Sequence, residues 1–255
     1  MRGLAVACLL GGCGRIAFDS IQGSAACSIA VTVPDPITVS GQTYTYANFM
    51  GGTTPLGSVQ VSAHVRDSGA MLASTTSDAN GLYALSIATH GVPVTVDLDY
   101  IPGGYLTTAL VDDQPLDRDI VGPNNMMNLE LGDGPIWGDG QMSSVYGAAG
   151  VTWNKNAGSF GVIVHDCSEQ VVDGVAVAID PPPGAIAFSG ANGFVSGATT
   201  TQPPFEIATV FNAVPGVNHI TATKAGFTIA PIDITVAAGE SQTSVIVHAV
   251  ATPER

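Results

Sequence analysis

Runs in which apolar and polar residues alternate recur along most of the chain. Residues 37–47 alternate one by one, and residues 58–65 place four small apolar side chains on one face of an extended segment. Further runs with the same two-residue period follow, each bounded by Gly, Pro, Asp or Asn. A period of two is typical of β-strands with one buried face. Closely spaced strands of this kind predict an all-β protein built from antiparallel β-sandwiches.

The pattern of the first half returns in a divergent form in the second half. Residues 170–180 correspond to residues 54–64, and residues 199–210 stand where residues 75–87 stood. Between the two copies the alternation is lost, and one short helix could lie at about 141–148. The sequence therefore predicts two antiparallel sandwiches, at residues 37–121 and 159–250, joined by an irregular insert at 122–158.

The first copy carries a set of spaced residues that resembles a known module. These residues are Gly41, Pro55-Leu56-Gly57, Val59, Thr75-Thr76, Asp78, Gly81, Tyr83 and Gly104-Tyr105. In this order they resemble the carboxypeptidase-regulatory-like domain, a transthyretin-like (prealbumin-like) β-sandwich. Ser58 departs from the alanine that the family prefers, a change of one small residue for another.

The second copy matches that module less well. Residues 172–177, 214–216 and 225–227 fit, but Gln202, Pro203 and Pro204 replace the turn that contains Asp and Gly. The resemblance implies the fold of two tandem modules. It implies little about function, because such modules serve as appendages and stalks in unrelated proteins. The module carries none of the catalytic residues of the zinc peptidases.

The first thirteen residues have the order of a secretory signal. One Arg precedes an apolar run at residues 4–10, and small residues lead to Cys13. The run is too short to span a bilayer as a helix. It resembles a bacterial lipoprotein signal, which implies a signal peptide at 1–12, lipid attachment at Cys13 and a tether at 13–36. An unprocessed leader, or a start site further upstream, is the alternative.

Export would affect the oxidation state of the two cysteines that follow Cys13. If the segment before Cys13 is removed and Cys13 carries lipid, Cys27 and Cys167 remain. In an oxidising compartment these two residues either form a disulfide or stay as separate thiols. The predicted location is the periplasmic face of a bacterial membrane or the cell surface.

The charge of the chain excludes one class of partner. The formal net charge is −14, and Lys155 and Lys224 are the only lysines. Such a surface repels phosphate backbones, so we expect no nucleic-acid partner. A net negative charge of this size also helps to keep a protein with few charged residues soluble.

Two groups of acidic residues raise the question of a metal site. In the segment 78–81, Asp78 and Asn80 precede Gly81 at a spacing that a turn explains and an EF-hand loop does not. A second group comprises Asp112, Asp113, Asp117 and Asp119. This group is a calcium candidate, although charged loops are more often solvated, and Arg118 partly offsets the charge.

The sequence contains no catalytic motif. The five histidines are scattered, and neither a nucleophile elbow nor a phosphate-binding glycine loop is present. Trp137 and Trp153 flank the insert, where they could stack on a sugar or pack at the junction. We therefore expect a structural or interaction module without a cofactor, with a protein or glycan partner. The alternative is a carbohydrate-binding module that uses these aromatic residues and acidic loops.

Overall fold

The structure of the chain is a computed structural model that describes residues 27, 32–46, 52–122, 133–238 and 242–252. The predicted signal peptide at 1–12, the predicted lipidation residue Cys13 and most of the predicted tether at 13–36 lie outside the described residues. Within the described ranges, no helix combines the length and the apolar character needed to cross a membrane.

Short strands dominate the described chain, with one helix between the two halves. The strands of the first half are β1 (Ile37–Tyr46), β2 (Thr53–Pro55), β3 (Gln60–Val65), β4 (Met71–Thr76), β5 (Leu82–Ile87), β6 (Val96–Ile101), β7 (Thr108–Asp112), β8 (Ile120–Val121) and β9 (Asp133–Ile136). Helix α1 (Asp139–Ala148) follows. The strands of the second half are β10 (Gly158–Asp166), β11 (Ala176–Asp180), β12 (Ala185–Gly190), β13 (Gly193–Phe194), β14 (Ile207–Ala213), β15 (Gly216–Thr223), β16 (Phe227–Ile229), β17 (Ile232–Val236) and β18 (Gln242–Ala251).

The first half is a sandwich of two layers. In one layer β1 pairs antiparallel with β2 and β5, and in parallel with the short strands β8 and β9. In the other layer the antiparallel order is β4-β3-β6-β7. Strand β5 alternates strictly between exposed and buried residues, so Tyr83, Leu85 and Ile87 face the core between the layers.

The second half is also a sandwich. One layer is the antiparallel sheet β11-β15-β17, and the other contains the antiparallel order β13-β12-β14-β10. Strand β15 alternates in the same way as β5, so Ile220 and Ala222 face the core while their neighbours are exposed. The all-β prediction is confirmed, and the short helix predicted at about 141–148 is α1.

The two halves are joined by the last strand of the chain. Strand β18 lies between β10 and β7, parallel to both, so that one ten-stranded sheet runs through both sandwiches. Its side chains divide between the two cores: Val245 and Val247 belong to the core of the second half, and Ile246 belongs to that of the first. A central strand covered on both faces explains the nearly continuous apolar run. The antiparallel pattern predicted from the sequence did not include these parallel pairings.

The repeat relation between the halves is visible in two equivalent turns. The hydroxyl oxygen of Ser77 accepts the N–H of Val59 at 3.1 Å and donates to the carbonyl of Leu56 at 3.3 Å. The hydroxyl oxygen of Thr201 accepts the N–H of Val175 at 3.0 Å and donates to the carbonyl of Val172 at 3.2 Å. The two sets match residue by residue.

The same correspondence extends to the serine that departs from the family pattern. Ser58 and Gly174 occupy equivalent positions directly before these valines, and their φ angles are +62° and +63°. A left-handed conformation favours Gly and is strained for residues with a side chain. The turn geometry therefore persists in both halves although the residue has changed.

Candidate functional site: a histidine and carboxylate cluster

Polar side chains gather where the parallel strands β10, β18 and β7 end. On one face of these strands the buried residues Ile163, Ile246 and Leu110 are followed two positions later by His165, His248 and Asp112. Because side chains alternate across a strand, each polar residue lies on the same face as the apolar residue before it. We call His165, His248, Glu169, Asp112 and Asp113 the junction cluster.

His248 is the centre of the junction cluster. Its ring Nδ1 lies 2.6 Å from Oδ1 of Asp113, and its backbone N–H donates to Oδ2 of the same carboxylate at 2.9 Å. The backbone N–H of Asp113 in turn donates to the carbonyl of Ile246 at 3.1 Å. The carboxylate of Asp113 is therefore held by a side chain and a main-chain group of one residue. This fixes the end of β7 against β18.

Glu169 reaches the same ring from a tight turn. The turn follows β10 and is closed by Asp166, whose carboxylate accepts the N–H groups of Ser168 and Gln170. Oε2 of Glu169 lies 3.3 Å from Nε2 of His248, and Oε1 accepts a hydrogen bond from Arg118 at 2.8 Å. Each oxygen of the carboxylate therefore has its own partner.

A disulfide holds this turn to the N-terminal segment. In the structure the sulfur of Cys167, two residues before Glu169, is bonded to the sulfur of Cys27. The bond joins residues that are 140 positions apart in the sequence. It therefore links the segment that leads into the first sandwich to the turn that carries Glu169.

His165 is the least satisfied member of the junction cluster. Its side chain is 1% exposed, and neither ring nitrogen makes a hydrogen bond to any residue that the structure describes. Nδ1 lies 3.5 Å from Oε2 of Glu169. The ring meets that of His248 edge to face, with centroids 5.9 Å apart. A buried polar group without a hydrogen bond costs about 1–3 kcal/mol.

Burial and charge act against each other on the ionisable groups. Burial raises the pKa of Asp112 to about 6, against the lowering effect of His248. Burial disfavours the charged ring of His248, but hydrogen bonds to Asp113 and Glu169 outweigh it and raise the pKa to about 10. The imidazoles of His165 and His248 beside it hold the pKa of Glu169 well below its usual range. The three carboxylates thus favour a positive charge at their centre.

The four predicted calcium ligands do not converge. Asp112 and Asp113 join the junction cluster, where Nδ1 of His248 lies 3.5 Å from Asp112 and 2.6 Å from Asp113. Asp117 instead contacts Arg118 at 3.3 Å, and Oδ1 of Asp119 accepts the backbone N–H of Thr38 at 2.7 Å. Two of the four are therefore committed to contacts outside the junction cluster.

The predicted stacking surface is wrong for Trp137. Its ring is 6% exposed and packs on Tyr46 with centroids 4.6 Å apart, so it cannot receive a sugar. Trp153 is half-buried against Tyr146, and the ammonium of Lys155 lies 4.7 Å from its ring centroid. Both tryptophans belong to the apolar cluster around α1. This agrees with the alternative of packing at the junction.

The segment 78–81 is a turn, as its spacing predicted. Oδ1 of Asp78 accepts the backbone N–H groups of Asn80 at 2.8 Å and of Leu82 at 2.9 Å. Gly81 has a φ of +75°, which the turn requires. The acceptor oxygen of Asp78 is thus occupied by the turn itself.

Local spacing in the sequence does not pair His165 with His248, because the two residues are distant in the chain. The tetrapeptide Val-Ile-Val-His occurs twice, at residues 162–165 and 245–248. In the structure the two copies lie side by side in register, with His165 opposite His248. An identical apolar run ending in His at two distant places is the signal that could have indicated two paired central strands.

No family model matches the chain, and no curated protein matches it. Among solved structures, the Bacillus anthracis TIE protein matches with a TM-score of 0.26 and 12% identity, covering 84% of this chain and 34% of that one. The chain thus spans about a third of that protein's length.

Two further structures are similar at the same level. The minor pilin of Streptococcus agalactiae has a TM-score of 0.29 and 9% identity, with 86% of this chain and 98% of that chain covered. Two B repeat units of the Staphylococcus aureus collagen-binding protein have a TM-score of 0.31 and 11% identity, with 86% and 50% covered. Scores in this range carry no argument about what this chain does.

Proposed function

We propose that the chain is an exported, non-catalytic module of the cell envelope that is attached by a lipid at Cys13 and acts as a rigid scaffold or adhesion unit. One observation carries the proposal. Strand β18 lies in parallel between β10 and β7 and joins both sandwiches in one sheet. A chain joined in this way holds its far surfaces at a fixed distance and angle.

Packing and polar contacts at the junction support rigidity. Residues of β18 contribute to the apolar cores of both halves, and Asp113 binds the ring and the main chain of His248. Moving one half against the other would expose this apolar surface and break buried charged hydrogen bonds. Buried hydrogen bonds to charged groups contribute about 1.5–3 kcal/mol each.

The disulfide between Cys27 and Cys167 supports export. Disulfides persist in oxidising compartments and are rare in the cytosol. The bonded Cys27 lies 14 residues after Cys13. A lipid at Cys13 would leave a short segment between the membrane and the disulfide. The folded part would then begin close to the membrane surface.

Lipid attachment is tested in a Gram-negative bacterial host that expresses the full chain. Mass spectrometry of the N-terminal peptide is expected to show diacylglyceryl on Cys13, and the protein is expected in the membrane fraction. Cys13→Ser is expected to move the protein to the soluble exported fraction. Cys8→Ser, which alters the other N-terminal cysteine, is the matched control and leaves it membrane-bound. Full recovery of Cys13→Ser in the membrane fraction would contradict the proposed anchor.

The scaffold role is tested on soluble protein that begins after Cys13. A glycan array and a panel of extracellular matrix proteins separate the two kinds of partner. Binding to a matrix protein, together with no binding to any glycan on the array, supports the adhesion role. Glycan binding that is lost in Trp153→Ala but kept in the destabilised control Trp137→Phe would favour the carbohydrate-binding alternative instead.

A further inference from the structure

We propose that His165, Glu169 and His248 bind one divalent transition-metal ion of the zinc class. One ring nitrogen of each histidine and one carboxylate oxygen of Glu169 lie within 4.8 Å of one another. Two imidazoles and a carboxylate are a frequent ligand set for zinc, with a fourth position left for water or another ligand.

Two of the three spacings between the ligand atoms fit a tetrahedral ion, and the third, between the two imidazoles, lies within 4.8 Å. Bonds of about 2.0–2.1 Å from zinc to nitrogen or oxygen place tetrahedral ligand atoms about 3.4 Å apart. Oε2 of Glu169 lies 3.3 Å from Nε2 of His248 and 3.5 Å from Nδ1 of His165. These distances are longer than good hydrogen bonds, and they agree with the edges of a coordination tetrahedron.

Neighbouring residues hold two of the ligands in the orientation that a metal needs. Nδ1 of His248 lies 2.6 Å from Asp113, so a proton on Nδ1 leaves the lone pair of Nε2 free to face Glu169. Arg118 binds Oε1 of Glu169 at 2.8 Å, which leaves Oε2 for the ion. A carboxylate that receives the outer N–H of a histidine ligand is a regular feature of zinc sites.

His165 supplies an independent observation. Its ring is 1% exposed, and both nitrogens lack a hydrogen bond among the residues that the structure describes. Buried polar groups in native proteins are nearly always satisfied, and an ion or a water molecule commonly accounts for the exceptions. A metal bond to Nδ1 would satisfy one of the two nitrogens.

The charge of the site matches a dication. A metal ion displaces the proton of His248, because a histidine ligand is neutral. With both imidazoles neutral, Asp112, Asp113 and Glu169 bring three negative charges and Arg118 brings one positive charge, a net charge of −2. Imidazole ligands favour zinc, copper and nickel, whereas calcium requires six to eight oxygen ligands. The site should therefore bind zinc in preference to calcium.

Calorimetric titration of zinc chloride into the chelator-treated protein, without an affinity tag and without reductant, tests the proposal. We expect one zinc ion per chain and a higher melting temperature, because an ion that binds only the folded state stabilises it. Millimolar calcium is expected to produce neither effect. Binding of calcium in place of zinc, or no zinc binding, would overturn the proposal.

Variants locate the ion. His165→Gln and Glu169→Gln are expected to abolish tight binding, and Asp113→Asn is expected to weaken it by about 10- to 100-fold. His219→Gln is the matched control, since His219 lies 2.6 Å from Asp233 in an exposed pair elsewhere on the surface. Zinc binding that survives the first two changes, or that disappears in His219→Gln, would overturn the assignment.

A spectroscopic measurement keeps the test decisive if a variant fails to fold. The unmodified protein is loaded with copper(II), and its electron paramagnetic resonance spectrum is recorded. Hyperfine coupling to two nitrogen nuclei is expected, and it should disappear when excess zinc displaces the copper. A spectrum with oxygen ligands alone would contradict the proposed imidazole ligands.

Discussion

His165 and His248 lie directly opposite each other on adjacent parallel strands, and their rings meet edge to face with centroids 5.9 Å apart. Each ends an identical tetrapeptide, so the two strands present the same apolar residues before the same polar one. In-register parallel strands therefore place two buried imidazoles side by side at the junction of the halves. The carboxylates of Glu169 and Asp113 surround them.

The disulfide is the first feature to test. Removal of the bond by Cys27→Ser is expected to lower the free energy of unfolding by about 2–5 kcal/mol, because the bond closes a long loop in the unfolded chain. Denaturant titration of the variant and of the unmodified protein measures the loss. Mass spectrometry of non-reduced peptides should show Cys27 linked to Cys167. Quantitative labelling of both as free thiols would contradict the bond.

The two equivalent turns predict matched effects in the two halves. Ser77→Ala and Thr201→Val each remove a buried hydroxyl that accepts one backbone N–H group and donates to one carbonyl. Each change is expected to cost about 1–3 kcal/mol of stability, since the backbone partners stay buried. Ser86→Ala on the exposed face of β5 is the control, expected within about 0.5 kcal/mol. Equal stability of all three variants would show that the turns are unimportant.

The turn at residues 78–81 predicts a strong effect at one glycine. A Cβ at Gly81 would lie 2.2 Å from the carbonyl oxygen of Thr43, whereas a Cβ at Gly69 would meet open space. Both glycines have positive φ, so Gly69→Ala measures the conformational cost alone, about 1–2 kcal/mol. Gly81→Ala is expected to cost about 1–3 kcal/mol more, because the neighbouring backbone must move. Thermal unfolding of the two variants gives the comparison, and equal costs would contradict the described turn.

The carboxylates of β6 predict a pH dependence that does not involve the junction cluster. Burial raises the pKa of Asp99, against the lowering effect of His64, and Asp97 raises it further. A carboxyl whose pKa is higher in the folded than in the unfolded protein destabilises the fold while ionised, and this cost disappears as pH falls through the folded-state pKa. Asp99→Asn is therefore expected to stabilise the protein at pH 7 by about 0.5 kcal/mol, because the side chain is partly exposed. The gain should vanish near pH 4.

Asp97 offers a matched control on the same strand. Its carboxylate binds Arg66 at 2.7 Å, so Asp97→Asn is expected to destabilise the protein at pH 7. Urea unfolding of both variants at several pH values measures the two effects. A stabilising effect of Asp99→Asn that is constant from pH 4 to pH 7 would contradict the assigned cause.

The strands of each sandwich were predictable because their information is local. In β5 the buried residues Tyr83, Leu85 and Ile87 recur at every second position, and this period defines a buried face. The period recurs in β15 at Ile220 and Ala222. The turn at Asp78 was predictable for the same reason, since its hydrogen bonds span two to four residues. The correspondence of Ser77 with Thr201 also followed from an alignment of the two halves.

The junction was not predictable from local patterns because its partners are distant in the chain. Asp113 and His248 are 135 residues apart, and Glu169 reaches His248 across 79 residues. The close spacing of the acidic residues suggested that Asp112, Asp113, Asp117 and Asp119 act together. In the structure Asp119 instead accepts a backbone N–H of β1, and Asp117 contacts the guanidinium of Arg118. The parallel placement of β18 decides which side chains meet. The alternation of apolar and polar residues does not reveal this placement, because it is the same in parallel and antiparallel strands.

The union of the two halves by β18 is tested most directly by calorimetry combined with hydrogen exchange on the disulfide-intact protein. The structure predicts one cooperative unfolding transition, because the last strand contributes to both apolar cores. Amides of β18 should exchange as slowly as those of β7 and β10. Two separate transitions, with fast exchange throughout residues 242–251, would contradict a single sheet that joins both sandwiches.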